Sequence, residues 1–180
     1  MLNLPNLLTF ARIILIFPFI SLLLNGCYGT AFAVGFVAGL TDLFDGALAR
    51  RLGQQTVLGA YLDPAADKLF MTASFISFAA VGLLPLWLTV LVIGRDVVIV
   101  LGVLLIRFLA LPIEVRPTMV SKVTTTLQLA TIGAPLLSAS IYPLPCLTGV
   151  LIITSSAGTI ISGLQYIARG VNILRKGKGK

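Results

Sequence analysis

The acidic residues of this chain are few and clustered. Only six of its 180 residues are acidic, and four of the six fall between positions 42 and 67. These four are Asp42, Asp45, Asp63 and Asp67. A carboxylate at the centre of a membrane helix costs about 2.5–3.5 kcal/mol on insertion scales, so such residues usually mark function. The clustering therefore indicates one chemical site.

The spacing of the four aspartates predicts two facing pairs. Asp42 and Asp45 are three residues apart, and Asp63 and Asp67 are four apart, so each pair lies on one face of a helix. Two consecutive helices joined by a short connector are expected to be antiparallel neighbours, which brings the pairs together. Carboxylate oxygens alone suit Mg²⁺ or Mn²⁺ better than zinc or copper.

Small residues and cations adjoin the aspartates. Gly46 follows Asp45 directly and Gly59 lies one turn before Asp63, so the backbone is open to a ligand at both places. In the alternative interpretation, the acids cap helices or pair with nearby cations. Those cations are Arg50, Arg51 and Lys68. Three cations do not explain two facing pairs, so the metal site is the favoured interpretation.

The composition places these helices in a membrane. Hydrophobic residues make up 58% of the chain and charged residues 11%, whereas soluble domains carry about 25% charged residues. The chain has no histidine, the usual general base, so acid–base chemistry must come from carboxylates. The net charge of +7 is concentrated in part near the C-terminus. This pattern favours a tail beside anionic lipid over a nucleic-acid site.

Six apolar stretches predict an all-α integral membrane protein with six transmembrane helices. The stretches run over 7–25, 30–49, 65–84, 86–106, 119–141 and 146–168. Connectors that carry arginine alternate with uncharged ones, so the arginine-bearing connectors, the aspartate site and both termini are expected in the cytoplasm. A short interfacial segment over 3–9, capped by Asn6 and Thr9, is expected to lead into the first helix.

The organisation of the chain follows from these stretches. Residues 1–180 are expected to form one membrane domain with a basic cytoplasmic tail over 170–180, located in the inner membrane if the source is bacterial. A charged connector is expected over 50–62. Pro64 disfavours helical geometry at Asp63, so the third helix is expected to begin or bend there.

The aspartates belong to a longer pattern. Residues 42–67 read D-x-x-D-G-x-x-A-R-x8-G-x3-D-x3-D. This pattern resembles the signature of the CDP-alcohol phosphotransferases, also called CDP-alcohol phosphatidyltransferases, and all eight defining positions match. The opening residues 4–12, which read LPNLLTFAR, resemble this family as well. The resemblance therefore covers essentially the whole chain.

The resemblance implies a role for each motif aspartate. Asp42, Asp45 and Asp63 would ligate two divalent ions, Mg²⁺ or Mn²⁺, that hold the diphosphate of a CDP-linked donor. Asp67 would also contact metal and would act as the catalytic base that deprotonates the acceptor hydroxyl.

The resemblance also implies a donor site. CDP-diacylglycerol is the expected donor, because its lipid tails can lie between helices while the cytidine faces the cytoplasm. The small residues would leave room for cytidine and ribose, and the arginine would hold phosphate. The implied donor-binding residues are Asp42, Asp45, Gly46, Ala49, Arg50 and Gly59. Homodimerisation is a further expectation from the resemblance.

The acceptor must be selected by residues outside the motif. Arg95, Asp96 and Lys122 are charged within apolar stretches, where charge is costly. Either they pair as a structural latch, or Arg95 and Lys122 face an anionic acceptor while Asp96 orients Arg95. Residues 94–97 and 117–129 resemble the cardiolipin synthases of this superfamily, which use phosphatidylglycerol. That lipid is the favoured acceptor.

Other acceptors and one other class of protein stay open. Phosphatidylglycerophosphate synthases, which use glycerol-3-phosphate, share the opening and the aspartate motif. They typically carry Arg-Glu where this chain has Arg95-Asp96, and a second lysine where it has Thr124. Inositol-type acceptors are a further alternative. A cation or proton transporter would also contain membrane carboxylates, but all four acids here lie toward one side of the membrane.

Overall fold

Six helices and no strand make up the part of the chain that the structure describes. The computed structural model describes residues 4–52, 57–109 and 118–177, with side chains over 9–41, 62, 64–106, 108–109 and 118–175. The helices are α1 (Leu4–Leu24), α2 (Tyr28–Leu52), α3 (Val57–Ala80), α4 (Leu86–Phe108), α5 (Met119–Ser140) and α6 (Pro145–Gly177). The all-helical architecture and the six predicted helices are thus confirmed.

The helices around the aspartates are longer than predicted. α2 extends to Leu52 and α3 begins at Val57, so most of the expected connector over 50–62 is helical. Pro64 lies inside α3, and the prediction that the helix begins there is therefore wrong. Proline removes one backbone donor, and the leucine and alanine residues on both sides of it favour a continued helix.

The two ends of the chain also differ from the prediction. Asn6 and Thr9, expected to cap the first helix, both lie inside α1, which begins at Leu4. Residues 170–177 of the expected tail belong to α6, which ends at Gly177. The asparagine, isoleucine, leucine and arginine residues before that glycine are compatible with a helix.

Two glycines end helices in the left-handed conformation. Gly26 follows α1 with a φ of 75°, and Gly82 follows α3 with a φ of 77°. At the second position the N–H of Leu83 donates to the carbonyl of Phe78 at 2.9 Å, which satisfies an otherwise unpaired carbonyl of the last turn. Glycine adopts this φ without steric cost, so each helix ends within one tight turn.

The chain forms two compact units that alternate along the sequence. The first unit contains Met1–Leu84 and Ile132–Leu144, and the second contains Pro85–Thr131 and Pro145–Lys180. The first unit therefore holds α1, α2, α3 and the second part of α5. The second unit holds α4, α6 and the first part of α5.

An aromatic cluster organises the first unit. α1 buries one face at helical spacing, composed of Thr9, Arg12, Ile16, Phe19 and Leu23. The ring centroid of Phe19 lies 5.2 Å from that of Phe70 and 6.5 Å from that of Phe78, both on α3. A Cβ at Gly35 of α2 would lie 3.0 Å from the Phe19 ring, so glycine permits the close approach of α2. Phe19 thus joins three helices.

Polar contacts organise the second unit. α5 and α6 carry buried hydroxyl and amide side chains, and we term this set the polar seam. It comprises Thr124, Gln128, Thr131, Ser155, Thr159 and Ser162. The amide nitrogen of Gln128 donates to the hydroxyl of Thr159 at 2.9 Å. Buried polar groups need such partners, because an unpaired donor or acceptor is expensive to desolvate.

Two helices of the second unit are long and apolar enough to cross a membrane. Among the described residues these are Leu86–Ile106 of α4 and Pro145–Arg175 of α6. Only 22% of the first and 17% of the second are buried within the structure, so both present wide apolar faces outward. Exposed apolar surface of this extent needs a nonaqueous partner.

Candidate active site

The packing of α1 brings one end of α2 to a common level with Arg12. Phe19 of α1 meets Gly35 of α2, and a three-residue connector over 25–27 makes these helices antiparallel. Residue 42 of α2 lies seven positions beyond Gly35, and Arg12 lies seven positions before Phe19. Both steps amount to about 10 Å along a helix axis. The backbone around residue 42 therefore lies near the level of Arg12.

An ion pair joins α1 to α3 at this level. Arg12 donates from Nη1 to Oδ1 of Asp67 at 2.5 Å, across 55 positions of sequence. The Arg12 side chain is 4% exposed, whereas that of Asp67 is 47% exposed. The guanidinium is thus enclosed, and the carboxylate that it holds is accessible. A charge-assisted bond of this kind fixes a carboxylate more firmly than a neutral bond does.

Seven predicted site residues have side chains outside the described residues. They are Asp42, Asp45, Gly46, Ala49, Arg50, Gly59 and Asp63. The described backbone places all of them in α2 or α3. Their roles as metal ligands or donor-binding residues therefore stay predictions.

The motif aspartate whose side chain is described is a suitable ligand for a divalent cation. The half-exposed carboxylate of Asp67 is reachable, and carboxylate oxygen is the ligand that Mg²⁺ and Mn²⁺ prefer. Within the described side chains, no group of three acidic, histidine or cysteine residues comes together. The other three aspartates of the motif lie outside that set, so the predicted cluster depends on them.

A second arginine lies at the centre of the second unit. Arg95 donates from Nη1 to Oδ1 of Asp96, and from Nη2 to the hydroxyls of Ser121 and Ser162, each at 2.7 Å. Its guanidinium carbon also lies 5.7 Å from the centroid of the Tyr166 ring, a cation–π distance. The side chains of Arg95 and Asp96 are only 6% and 16% exposed. Arg95 therefore links α4, α5 and α6.

The three residues predicted to bind the acceptor differ in their surroundings. Arg95 is paired with Asp96, as expected both for a latch and for an orienting carboxylate. Lys122 follows Ser121 on α5 and is exposed. The structure thus joins the first two residues, and it places Lys122 on a surface of the same unit.

Comparison with known proteins identifies the family. A family model described as CDP-alcohol phosphatidyltransferase matches residues 2–161, which extend from the start of the chain into α6. The chain belongs to the CDP-alcohol phosphatidyltransferase family. The resemblance inferred from the aspartate motif is thereby confirmed.

Individual relatives within this family have different names. The chain is 34% identical over 193 residues to a Drosophila melanogaster protein named "Probable cardiolipin synthase (CMP-forming)", covering 96% of this chain and 59% of the fly protein. It is 33% identical over 184 residues to an Aquifex aeolicus protein named CDP-diacylglycerol–glycerol-3-phosphate 3-phosphatidyltransferase. That alignment covers 97% of this chain and 99% of the Aquifex protein. The chain thus spans less than two thirds of the fly relative's length.

A solved structure shares the fold. The crystal structure of Mycobacterium tuberculosis phosphatidylinositol phosphate synthase (PgsA1) with CDP-DAG bound matches with a TM-score of 0.67. The match covers 92% of this chain and 85% of that chain, at 18% sequence identity. At this identity the comparison shows only that the two chains share a fold.

The structure adds residues that the sequence did not single out. Arg12 belongs to the opening segment that carries the family resemblance, and in the structure it donates to the predicted base Asp67. Its signal is a lone arginine within an otherwise apolar helix, which demands a counter-charge. Ser121 and Ser162 carried no such signal, because serine is common and hydroxyl pairing depends on the approach of separate helices.

Proposed function

We propose that this chain transfers the phosphatidyl group of CDP-diacylglycerol to a hydroxyl of an acceptor and releases CMP. The observation that carries the proposal is the complete eight-position aspartate motif in a member of the CDP-alcohol phosphatidyltransferase family. The accessible carboxylate of Asp67 supports it, because a base must reach the acceptor proton. The names of the fly and Aquifex relatives agree with a reaction of this kind.

In the proposed reaction, the acceptor oxygen forms a bond to the phosphorus that carries diacylglycerol. The phosphoanhydride bond to CMP breaks, and CMP leaves with the bonding electrons. Asp67 accepts the proton of the attacking hydroxyl. Arg50 and the small residues Gly46, Ala49 and Gly59 form the site for the nucleotide part of the donor.

Asp42, Asp45, Asp63 and Asp67 are the residues that would hold divalent metal, as Mg²⁺ or Mn²⁺. When bound, such ions neutralise charge that develops on the phosphoryl oxygens. The chain's own contribution is to present four carboxylates from two helices, with Asp67 held by Arg12.

We further propose phosphatidylglycerol as the acceptor, which makes the product cardiolipin. A dianionic acceptor such as glycerol-3-phosphate requires cations that are not already neutralised. The charge of Arg95 is balanced by Asp96 at 2.7 Å, and Lys122 remains as a nearby exposed cation, an arrangement that suits a monoanionic lipid better. Glycerol-3-phosphate is the second candidate, favoured by the match to the whole length of the Aquifex relative.

The proposed setting is a membrane. Residues 1–180 form one domain with six transmembrane helices, the site and both termini in the cytoplasm, and two copies of the chain in a dimer. The outward apolar faces of α4 and α6 support the setting, and the arginine-bearing connectors support the orientation. Family membership disfavours the alternative of a cation or proton transporter.

A parallel acceptor assay tests this function. Purified protein in lipid vesicles receives CDP-diacylglycerol and Mg²⁺ with phosphatidylglycerol, glycerol-3-phosphate or inositol, and both CMP and the lipid product are identified. We expect CMP and cardiolipin with phosphatidylglycerol. Product with glycerol-3-phosphate alone would replace the acceptor, and no CMP with any acceptor would refute the transfer.

Metal removal supplies the control for the aspartate cluster. Excess EDTA is expected to abolish CMP release, and added Mg²⁺ or Mn²⁺ is expected to restore it. Zn²⁺ at the same concentration is expected to restore less, because the predicted ligands are oxygens alone. Full activity in EDTA would exclude the proposed metal site.

A further inference from the structure

The ion pair of α1 and α3 is unequal in its exposure. The guanidinium of Arg12 is almost fully enclosed, at 4% exposed, while the Asp67 carboxylate that it contacts is 47% exposed. Enclosing both partners would strengthen their attraction but would also cost the hydration of the carboxylate, and in this pair the carboxylate keeps its access to the surroundings. Here the enclosed partner is the anchor, and the accessible partner is the residue proposed to act on substrate.

The anchor itself is fixed by packing. Arg12 lies on the buried face of α1 two turns before Phe19, whose ring contacts Phe70 one turn beyond Asp67. The same helix-to-helix contact therefore sets the position of both members of the pair. A side chain held in this way can orient a carboxylate without a rearrangement when substrate arrives.

We propose that Arg12 is a positioning residue that holds Oδ1 of Asp67, so that the carboxylate meets the acceptor hydroxyl in one orientation. The proposal rests on the proposed function, since it assumes that Asp67 is the base. It gives α1 a role in the chemical step, although the aspartate motif lies in α2 and α3. Arg12 acts through Asp67 and has no contact with donor in this role.

Kinetics of full-length variants test the proposal. Arg12→Gln removes the charge and is expected to lower kcat about 100-fold, the effect of a small misplacement of a catalytic group. The KM for CDP-diacylglycerol is expected to stay nearly unchanged, because donor contacts remain. Arg175→Gln, which removes an exposed arginine from the end of α6, is the matched control and should retain wild-type kcat. A raised donor KM with unchanged kcat would overturn the proposal.

Two compensating substitutions distinguish a positioning role of Arg12 from a general effect on stability. Arg12→Lys shortens one side chain and Asp67→Glu lengthens the other, so the double variant is expected to lose less kcat than the product of the two single losses. Losses that simply multiply would overturn the proposal. If Arg12→Gln does not fold, as judged by thermal unfolding in detergent, the lysine variant and this double variant decide the question by the same criteria.

The outcome for Asp67→Asn distinguishes the two proposals. Wild-type turnover in Asp67→Asn would refute the base and so the proposed function of this residue, whatever Arg12 does. Loss of turnover in Asp67→Asn together with wild-type kcat in Arg12→Gln would refute positioning alone. The expected result is loss in both, with binding of CDP-diacylglycerol retained in each variant.

Discussion

Two enclosed arginines, one in each compact unit, are paired with aspartates in different ways. Arg12 reaches a carboxylate that is 55 positions away on another helix and 47% exposed. Arg95 holds the carboxylate of its immediate neighbour Asp96, which is 16% exposed. We term the first the open pair, because its carboxylate is accessible, and the second the closed pair, because Arg95 is buried and Asp96 is largely enclosed.

The difference shows how similar charges take different roles. Arg95 directs its remaining donors to Ser121 and Ser162, so that its hydrogen bonds hold three helices together. A closed pair of this kind neutralises charge and fixes packing, whereas an open pair can present a reactive group. We therefore propose a chemical role for the Arg12 pair, and a structural role together with acceptor charge balance for the Arg95 pair.

The largest expected effect concerns the open pair. Asp67→Asn is expected to lower the rate of CMP release by about 10²–10⁴-fold, because the general base is lost. The amide oxygen of asparagine still accepts a hydrogen bond from Arg12, but the enclosed guanidinium loses the charge of this carboxylate, so the thermal unfolding temperature is also expected to fall. Steady-state CMP release together with binding of CDP-diacylglycerol checks this prediction. Undiminished turnover would mean that the open pair has no chemical role.

The closed pair is expected to control stability. Arg95→Met deprives the largely enclosed Asp96 carboxylate of the Arg95 guanidinium, and removing one partner of such a pair costs up to about 3–5 kcal/mol. Denaturant titration in detergent measures this loss. The double variant Arg95→Met/Asp96→Asn should recover part of it, since both charges of the pair are then removed. An Arg95→Met protein as stable as wild type would remove the distinction between the pairs.

The polar seam is expected to contribute a smaller amount. Thr159→Val deprives the buried Gln128 amide of its acceptor, which should lower the free energy of unfolding by about 1–3 kcal/mol. Thr154→Val is the matched control on the exposed side of the same helix and should stay within about 0.5 kcal/mol of wild type. Equal losses in the two variants would argue against a specific seam.

The smallest expected effect is at Lys122. Its exposed position predicts that Lys122→Gln changes the free energy of unfolding by less than about 0.5 kcal/mol. The KM for phosphatidylglycerol should rise, because one cation near the acceptor is lost, while the KM for CDP-diacylglycerol should not. An acceptor KM equal to that of wild type would remove Lys122 from the proposed acceptor site.

The sequence was sufficient to predict the features that depend on residues close together in the chain. Long apolar stretches were sufficient to predict six helices, because they depend on near neighbours in the chain. The aspartate cluster stays a prediction, because the side chains of Asp42, Asp45 and Asp63 lie outside the described residues. The start of α3 was wrong, because the helix formers around Pro64 outweigh the preference of that proline. The partner of Arg12 was beyond reach, because it depends on packing around Phe19 rather than on spacing.

The central claim is transfer of a phosphatidyl group, and the fate of one phosphorus atom tests it most directly. CDP-diacylglycerol labelled only in the phosphate next to diacylglycerol is incubated with the purified chain, Mg²⁺ and phosphatidylglycerol, and the lipid and nucleotide products are separated. We predict that the label appears in the lipid product and that the released CMP is unlabelled. Label in the released nucleotide would contradict the account, because a different bond would then have been broken.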